Sequence, residues 1–558
     1  MHRTKRQKSR ARSASLCGRR RLNLEWLESR AMLAGNVLAN VDAAGNLRLS
    51  GDNEANVVTI AQTAASAYLI TGVGTGINGF GSLAVTGVTG RVQIDLFGGN
   101  DVLTFTGPAG GVFSADFSGQ FLVRAGAGDD TITLANIESS ETLFVEGGDG
   151  NDTLSLSAIA ADNIVVRADS GNDTIIAAGL AADELLDIQT ALGNDTITLT
   201  GAAAGRLNVH SGLGDDVVTL SQLDVDGTLT VSTSAQIASA GGGGRSGGGG
   251  GSGSSGRALI RGGGGSGGGG GRSIPDGGGG GGGTPAADTD ELTIGQTTAA
   301  RATIVTGDAD DEVSLADLEI NGALALLTGN GNDVIDLNNV TAGSLTIDAG
   351  AGNDAITLTD VDAAGAATIN AGAGNDQIAA SASGSTANSF GSNVVVSLGQ
   401  GDDTLALANL AASRRVTISG GAGNDAATLT DSTIGGNLVF SLEQGNDVGT
   451  LHSVQVLGNT LLGLGSGNDS LEVIGLTVGN DVTLDAGAGA DAVSLSAVAA
   501  DKLFAQLGSG NDRLTASANV ALSQRARLDG GSGFDILNGN ASITAAIKQL
   551  LGFESVNA

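Results

Sequence analysis

Apolar residues recur along this chain on one template. Counting from Asp354 they fall at Ile356, Leu358, Val361, Ala367 and Ile369, and counting from Asp130 at Ile132, Leu134, Ile137, Leu143 and Val145. Ile-x-Leu and Leu-x-Val alternate with period two, as short strands with one buried face do. Between them stand Gly, Asn, Asp and Ser, which favour turns. No stretch of the body sustains a helical period.

The template returns with a fixed spacing. Aligned on a turn aspartate it gives Asp101, Asp130, Asp152, Asp173, Asp195 and Asp216, then, after a gap, Asp311, Asp333, Asp354, Asp376, Asp403, Asp425, Asp447, Asp469, Asp491, Asp512 and Asp535. Most of the intervals equal that of Asp130 to Asp152, 22 residues, or that of Asp152 to Asp173, 21 residues, which sets the repeat length. Gly stands two residues before the Asp in every copy except that of Asp311, where Ala309 stands. A strand pair repeated in this way stacks like residues on like. The predicted fold is all-β, a parallel β-helix (solenoid) in which each coil covers its neighbour's edge. About 18 coils at about 4.8 Å each make a rod of roughly 85 Å.

The interruptions divide the chain. Residues 1–34 are a basic leader, 35–98 an irregular N-terminal cap with degenerate first coils, and 99–235 regular coils. Residues 236–287 are mostly Gly, and coils resume over 288–540, with Asp290 standing one repeat before Asp311. One coil is therefore split at its turn by a flexible insertion, which loop-closure entropy tolerates. In 541–558, Ser542 followed by Ile543, Ile547, Leu550 and Leu551 and then Gly552 predicts a short capping helix. Leu47 to Asp52 predicts a degenerate first coil.

Charge narrows the partners. The net charge is −32, and ten of the 27 Lys and Arg lie in residues 1–30 beside only Glu25 and Glu28. The remainder holds 17 basic and 57 acidic residues, a body that repels nucleic acid and attracts cations. No apolar run approaches the length of a transmembrane segment. Cys17, the single cysteine, lies in the leader, so the body holds no disulfide.

The leader itself carries a motif. Arg3, Lys5, Arg6, Lys8, Arg10 and Arg12 open it, and Leu24-Glu25-Trp26-Leu27-Glu28-Ser29-Arg30-Ala31-Met32-Leu33-Ala34 follows. That run resembles the LEPR-XLL motif at the N-termini of large exported planctomycete proteins, with Ser29 in place of the usual Pro and Met32 in place of Leu. The resemblance implies export and a secreted or cell-surface location.

The stacked corners pose a chemical problem. Carboxylates about 5 Å apart repel by about 3 kcal/mol at an effective dielectric of 20. Raised pKa values, water or bridging cations can relieve this. Oxygen-only corners select hard cations such as Ca²⁺. Gly147-Gly148-Asp149-Gly150-Asn151-Asp152-Thr153-Leu154-Ser155 and Gly530-Gly531-Ser532-Gly533-Phe534-Asp535-Ile536-Leu537-Asn538 resemble the haemolysin-type RTX repeat Gly-Gly-x-Gly-x-Asp-x-U-x. The resemblance implies Ca²⁺ at the seventeen turn aspartates named above, most firmly at Asp152 and Asp535. It departs in recurring once per coil rather than every nine residues, so only one edge of the coil carries the motif. The competing reading is an Asn/Asp ladder that closes the turns by hydrogen bonds alone.

Catalysis finds few candidates outside the repeat. Beyond the leader the chain has His210, His452, Lys502, Lys548 and Tyr68, and no Trp. Arg414-Arg415 and the lengthened segment Ser381 to Ser392 break the pattern and read as loops. The sequence thus predicts a non-enzymatic, secreted or cell-surface calcium-binding protein with a structural or adhesive role. Extracellular matrix or polysaccharide is its expected partner. The alternative is a carbohydrate-active β-helix enzyme, a lyase or hydrolase, which a groove with pattern-breaking acids and aromatics would favour.

Overall fold

The computed structural model describes residues 35–108, 115–234, 289–384, 387–517, 519–539 and 546–557. The leader 1–34, where the export motif is expected, and the Gly-rich stretch 236–287 lie outside them.

From Val92 onward the described strands pair in parallel with the strands about one repeat before and after. Thr131↔Thr153, Ile132↔Leu154 and Leu134↔Leu156 are opposite one another, and Thr153↔Thr174 and Leu154↔Ile175 continue the column. This is the predicted parallel solenoid. Period-two alternation sends every second side chain inward, so Ile132, Leu154, Ile175, Ile197, Val218 and Leu292 stack as one buried row. Rows of this kind form a single apolar core along the rod.

Each coil has three sides rather than the two strands legible in the sequence. Thr404–Ala408 and Val416–Ala422 are the long sides, and Leu410–Ala412 is a short third. The bend between the first and third side is a single residue with positive φ: Asn136 (54°), Asp317 (57°), Asn339 (54°), Asp360 (53°) and Asn409 (56°) hold it in their coils. Asn and Asp reach this left-handed region more readily than other side chains.

The core crosses the Gly-rich insertion without a break. Val217–Ser232 pairs directly with Glu291–Asp308, through Val218↔Leu292 and Leu229↔Ala302. At the N-terminal end the cap is built of antiparallel pairs, Gly35–Val41 with Leu47–Ser50 and Val57–Ala64 with Ala67–Gly72. Leu47–Ser50 and Val57–Ala64 also lie parallel on Val92–Gly98 and Val102–Thr106, so they form the expected degenerate coil. Tyr68, Phe105, Phe117 and Phe121, with ring centroids 5.0–6.0 Å apart, fill this end of the core.

The C-terminal expectation is corrected. Ile547–Leu551 is a strand, not a helix, and it pairs in parallel with Ala521–Asp529. Ser555–Asn557 likewise pairs with Ile536–Asn538. The spacing of Ile547, Leu550 and Leu551 suits a helix. The strand Ala521–Asp529 presents a row of backbone groups, and pairing satisfies them where a helix would not. Ser542 and Ile543 lie outside the described residues.

Candidate functional site

The seventeen turn aspartates named from the sequence form one column, and every one is buried, with 0–2% of its surface exposed. Their carboxylates face the interior of the rod, not the solvent. The parity of the strand sets this direction: Ile132 and Leu134 point inward two and four residues after Asp130, so Asp130 points inward too.

Each aspartate binds the next through its own backbone. The N–H of Asp130 donates to Oδ1 of Asp152 (2.8 Å), that of Asp152 to Asp173 (2.7 Å), and that of Asp173 to Asp195 (2.7 Å). The same bond recurs to the last corner, where Asp512 donates to Asp535 (2.9 Å). Three members of the ladder were absent from the sequence-derived set. Asp290, recognisable from its spacing, receives the bond from Asp216 (3.0 Å) and donates to Asp311 (2.9 Å), so the column passes the insertion intact. Asn56 opens the ladder by donating to Asp101 (2.6 Å), and Glu554 Oε2 closes it by accepting from Asp535 (2.7 Å). Asn56 has lost the flanking glycines, whereas Glu554 keeps Gly552 two residues before it but stands 19 residues after Asp535, short of a full repeat, with Glu in place of Asp.

The second carboxylate oxygen is different. Oδ2 is buried without a hydrogen-bond partner at Asp101, Asp130, Asp152, Asp173, Asp354, Asp376, Asp403, Asp425, Asp447, Asp469, Asp491, Asp512 and Asp535. Burial pushes these groups up from the usual carboxylate range: to about 7 at Asp101, Asp152, Asp354, Asp403 and Asp491, and to about 6 at Asp130, Asp173 and Asp447. The backbone N–H donated to Oδ1 opposes the shift, and neighbouring corner carboxylates add to it at Asp354 and Asp403. Around the insertion, buried Thr190, Thr233, Thr306 and Thr328 stand near Asp195, Asp290, Asp311 and Asp333, and their hydroxyls partly offset the burial. Asp290 nevertheless reaches about 8.

A second ladder runs outside the first in the opposite sense. In most coils the residue before the aspartate donates its N–H to the side chain of the preceding coil: Asn172 to Asn151 (2.7 Å), Asn194 to Asn172 (2.8 Å), and Asn468 to Asn446 (2.9 Å). These side chains are exposed. The two glycines of the turn make the close stacking possible. Gly148 and Gly150 have φ of 120° and 133°, and a Cβ on either would collide with the carbonyl of Gly126 or Gly128 in the coil before. At the position of Gly148, Phe97 (79°), Asp169 (73°) and Glu443 (76°) hold positive φ without being glycine. Such backbone costs on the order of 1–3 kcal/mol per residue.

Ca²⁺ takes six to eight oxygens. Each corner offers one carboxylate oxygen not already bonded to an N–H, and turn carbonyls and water would have to supply the rest. Among the described residues no group of three or more His, Cys, Asp or Glu is gathered as a metal site. Among the same residues no helix is long and apolar enough to cross a membrane. No protein-family description matches the chain, and no curated protein matches it.

Proposed function

We propose that the chain is a non-enzymatic, exported structural rod with an adhesive role outside the cell. Its corner aspartates are an internal hydrogen-bonded spine. The supporting observation is the ladder that runs from Asn56 to Glu554 across the insertion, with every corner aspartate buried. A column of carboxyl groups shut away from solvent is suited to holding coils in register. The export motif of the leader and the acidic body agree with work outside the cell. Small-angle scattering tests the rod: an elongated particle of roughly 85 Å is expected on the coil spacing, and a compact sphere would refute it.

Calcium retention by the corners is a second reading, and the unpartnered Oδ2 atoms favour it. Asp152 and Asp535, in the two complete Gly-Gly-x-Gly-x-Asp turns, are its best candidates. Calorimetric titration at pH 7.5 decides between the readings. Several ions bound per chain, with a large rise in melting temperature over EDTA, support calcium. Identical melts leave the spine as a hydrogen-bonded structure alone.

A further inference from the structure

The outer face of the strand leading into each corner is mostly small and polar, as in the laterally paired row Ser397, Ser419, Ser441. In the first third of the rod the same row reads Asp95, Arg124, Glu146, Arg167, each directly opposite the next. Arg124 is held by Glu146 (2.9 Å) and Asp95 (3.4 Å). Both guanidiniums flank one ring, Arg124 at 5.8 Å and Arg167 at 5.6 Å from the centroid of Phe144. The Nε of Arg167 is buried with no hydrogen-bond partner.

Beside this row lies a groove of about 560 Å³, with Phe97, Arg124, Glu146, Asp149, Asp169 and Leu192 among its lining. Its size is in the range of ligand sites, about 300–1,000 Å³. Two of the three residues that hold positive φ at a glycine position, Phe97 and Asp169, stand here. Phe97 is 53% and Leu192 51% exposed, although glycine would relieve the backbone at position 97. Burial, with Glu146 and Asp149 nearby, raises the Asp169 carboxyl above its ordinary range. Strain, an exposed ring and converging carboxylates thus coincide at one place, where the repeat would supply glycine and serine.

The lining selects its ligand. More carboxylates than guanidiniums face the groove, so phosphates, nucleic acid and polyanions are repelled. Acceptors and donors alternate from coil to coil at about 4.8 Å, beside an apolar rim. A ligand dense in hydroxyls, with C–H faces and no charge, meets all three features. We propose that this groove binds a neutral, linear saccharide lying along the rod axis, with Phe97 and Leu192 against sugar C–H faces and Glu146, Asp169 and Arg124 taking hydroxyls. The proposal deepens the adhesive role and rests on it for its setting. The groove's chemistry does not depend on the aspartate spine.

The test is calorimetric titration of the full chain with cellohexaose, xylohexaose and mannohexaose, beside hexagalacturonate and hexalysine. At least one neutral hexasaccharide is expected to bind saturably and to be recovered uncleaved; its cleavage would overturn the non-enzymatic reading in favour of the carbohydrate-active enzyme that such a groove of acids and an aromatic also suits. Glu146→Gln, Asp169→Asn and Arg124→Gln should each weaken it tenfold or more at unchanged circular dichroism. Asn tolerates positive φ, so Asp169→Asn keeps the turn. Phe97→Gly should weaken binding while leaving the melting temperature equal or higher, which a merely structural ring would not do. Binding of none of the neutral sugars, binding only of hexagalacturonate or hexalysine, or neutral-sugar binding indifferent to these variants would overturn the proposal. Scattering from the same samples reports on the rod separately, so loss of the rod and loss of the groove are distinguishable.

Discussion

Asp354 shows what a corner residue does. Its Oδ1 accepts the N–H of Asp333 at 2.8 Å, and its own N–H donates to Asp376 at 2.8 Å. Asp354→Ala leaves the Asp333 N–H without its acceptor and should cost about 1–3 kcal/mol, read as a drop in the denaturation midpoint. Gly148→Ala should also destabilise, by more than about 1 kcal/mol, because φ is 120° and the new Cβ meets the Gly126 carbonyl. The corner aspartates are legible in the sequence because the Gly-x-Gly-Asn-Asp signature is local. Their inward direction is also encoded, in the parity that links Asp130 to Ile132 and Leu134, but turn chemistry suggests an outward carboxylate and hides it. Asn56 is not legible, since it replaces the aspartate without its glycines, and Glu554 is hidden by its short spacing of 19 residues from Asp535 and by Glu in place of Asp, although Gly552-Phe553 repeats Gly533-Phe534.

At the scale of the element, the two long strands of each coil follow from alternation, whereas the short third side does not. Leu410–Ala412 is too short for a period, and its bend rests on one residue, Asn409, with φ of 56°. The C-terminal segment shows a different limit. Ile547, Leu550 and Leu551 satisfy a helical spacing, and only the strand Ala521–Asp529 beside them decides for a strand. The insertion gives a direct prediction. Ser234 and Thr289 flank residues 235–288, and replacing that stretch by Ala-Gly gives Asp216 and Asp290 the same separation along the chain as Asp130 and Asp152, one normal repeat. The ladder already joins Asp216 to Asp290 at 3.0 Å. The shortened chain should therefore melt within a few degrees of the parent, or slightly higher, since a shorter loop loses less entropy on closure. A large drop would show that the insertion takes part in the fold.

Across the whole molecule the spine couples stability to pH. The corner carboxyls take up protons more readily folded than unfolded, because burial raises them from 3.8 to about 6–7 at Asp130, Asp354 and Asp403. A raised acid contributes stability that is full below about pH 4 and is lost as pH climbs through the folded value. For Asp354 the difference is on the order of 2–4 kcal/mol. General repulsion in a body of 57 acids acts in the same sense, so the spine must be separated from the surface. Replacing Asp354, Asp376 and Asp403 by Asn removes three buried charges, and replacing the outward Asp336, Asp348 and Asp362 removes three surface ones. Asn has the shape of Asp, and its Oδ1 can still accept the ladder N–H.

The decisive measurement is the melting temperature between pH 4 and pH 8 in EDTA for the parent and these two triple variants. The melting temperature is expected to fall with rising pH in the parent, to fall clearly less steeply in the buried triple variant, and to keep nearly the parental slope in the surface one. A parental melting temperature that rises over this range, or a buried triple variant with the parental slope, would contradict a spine of buried, proton-holding aspartates.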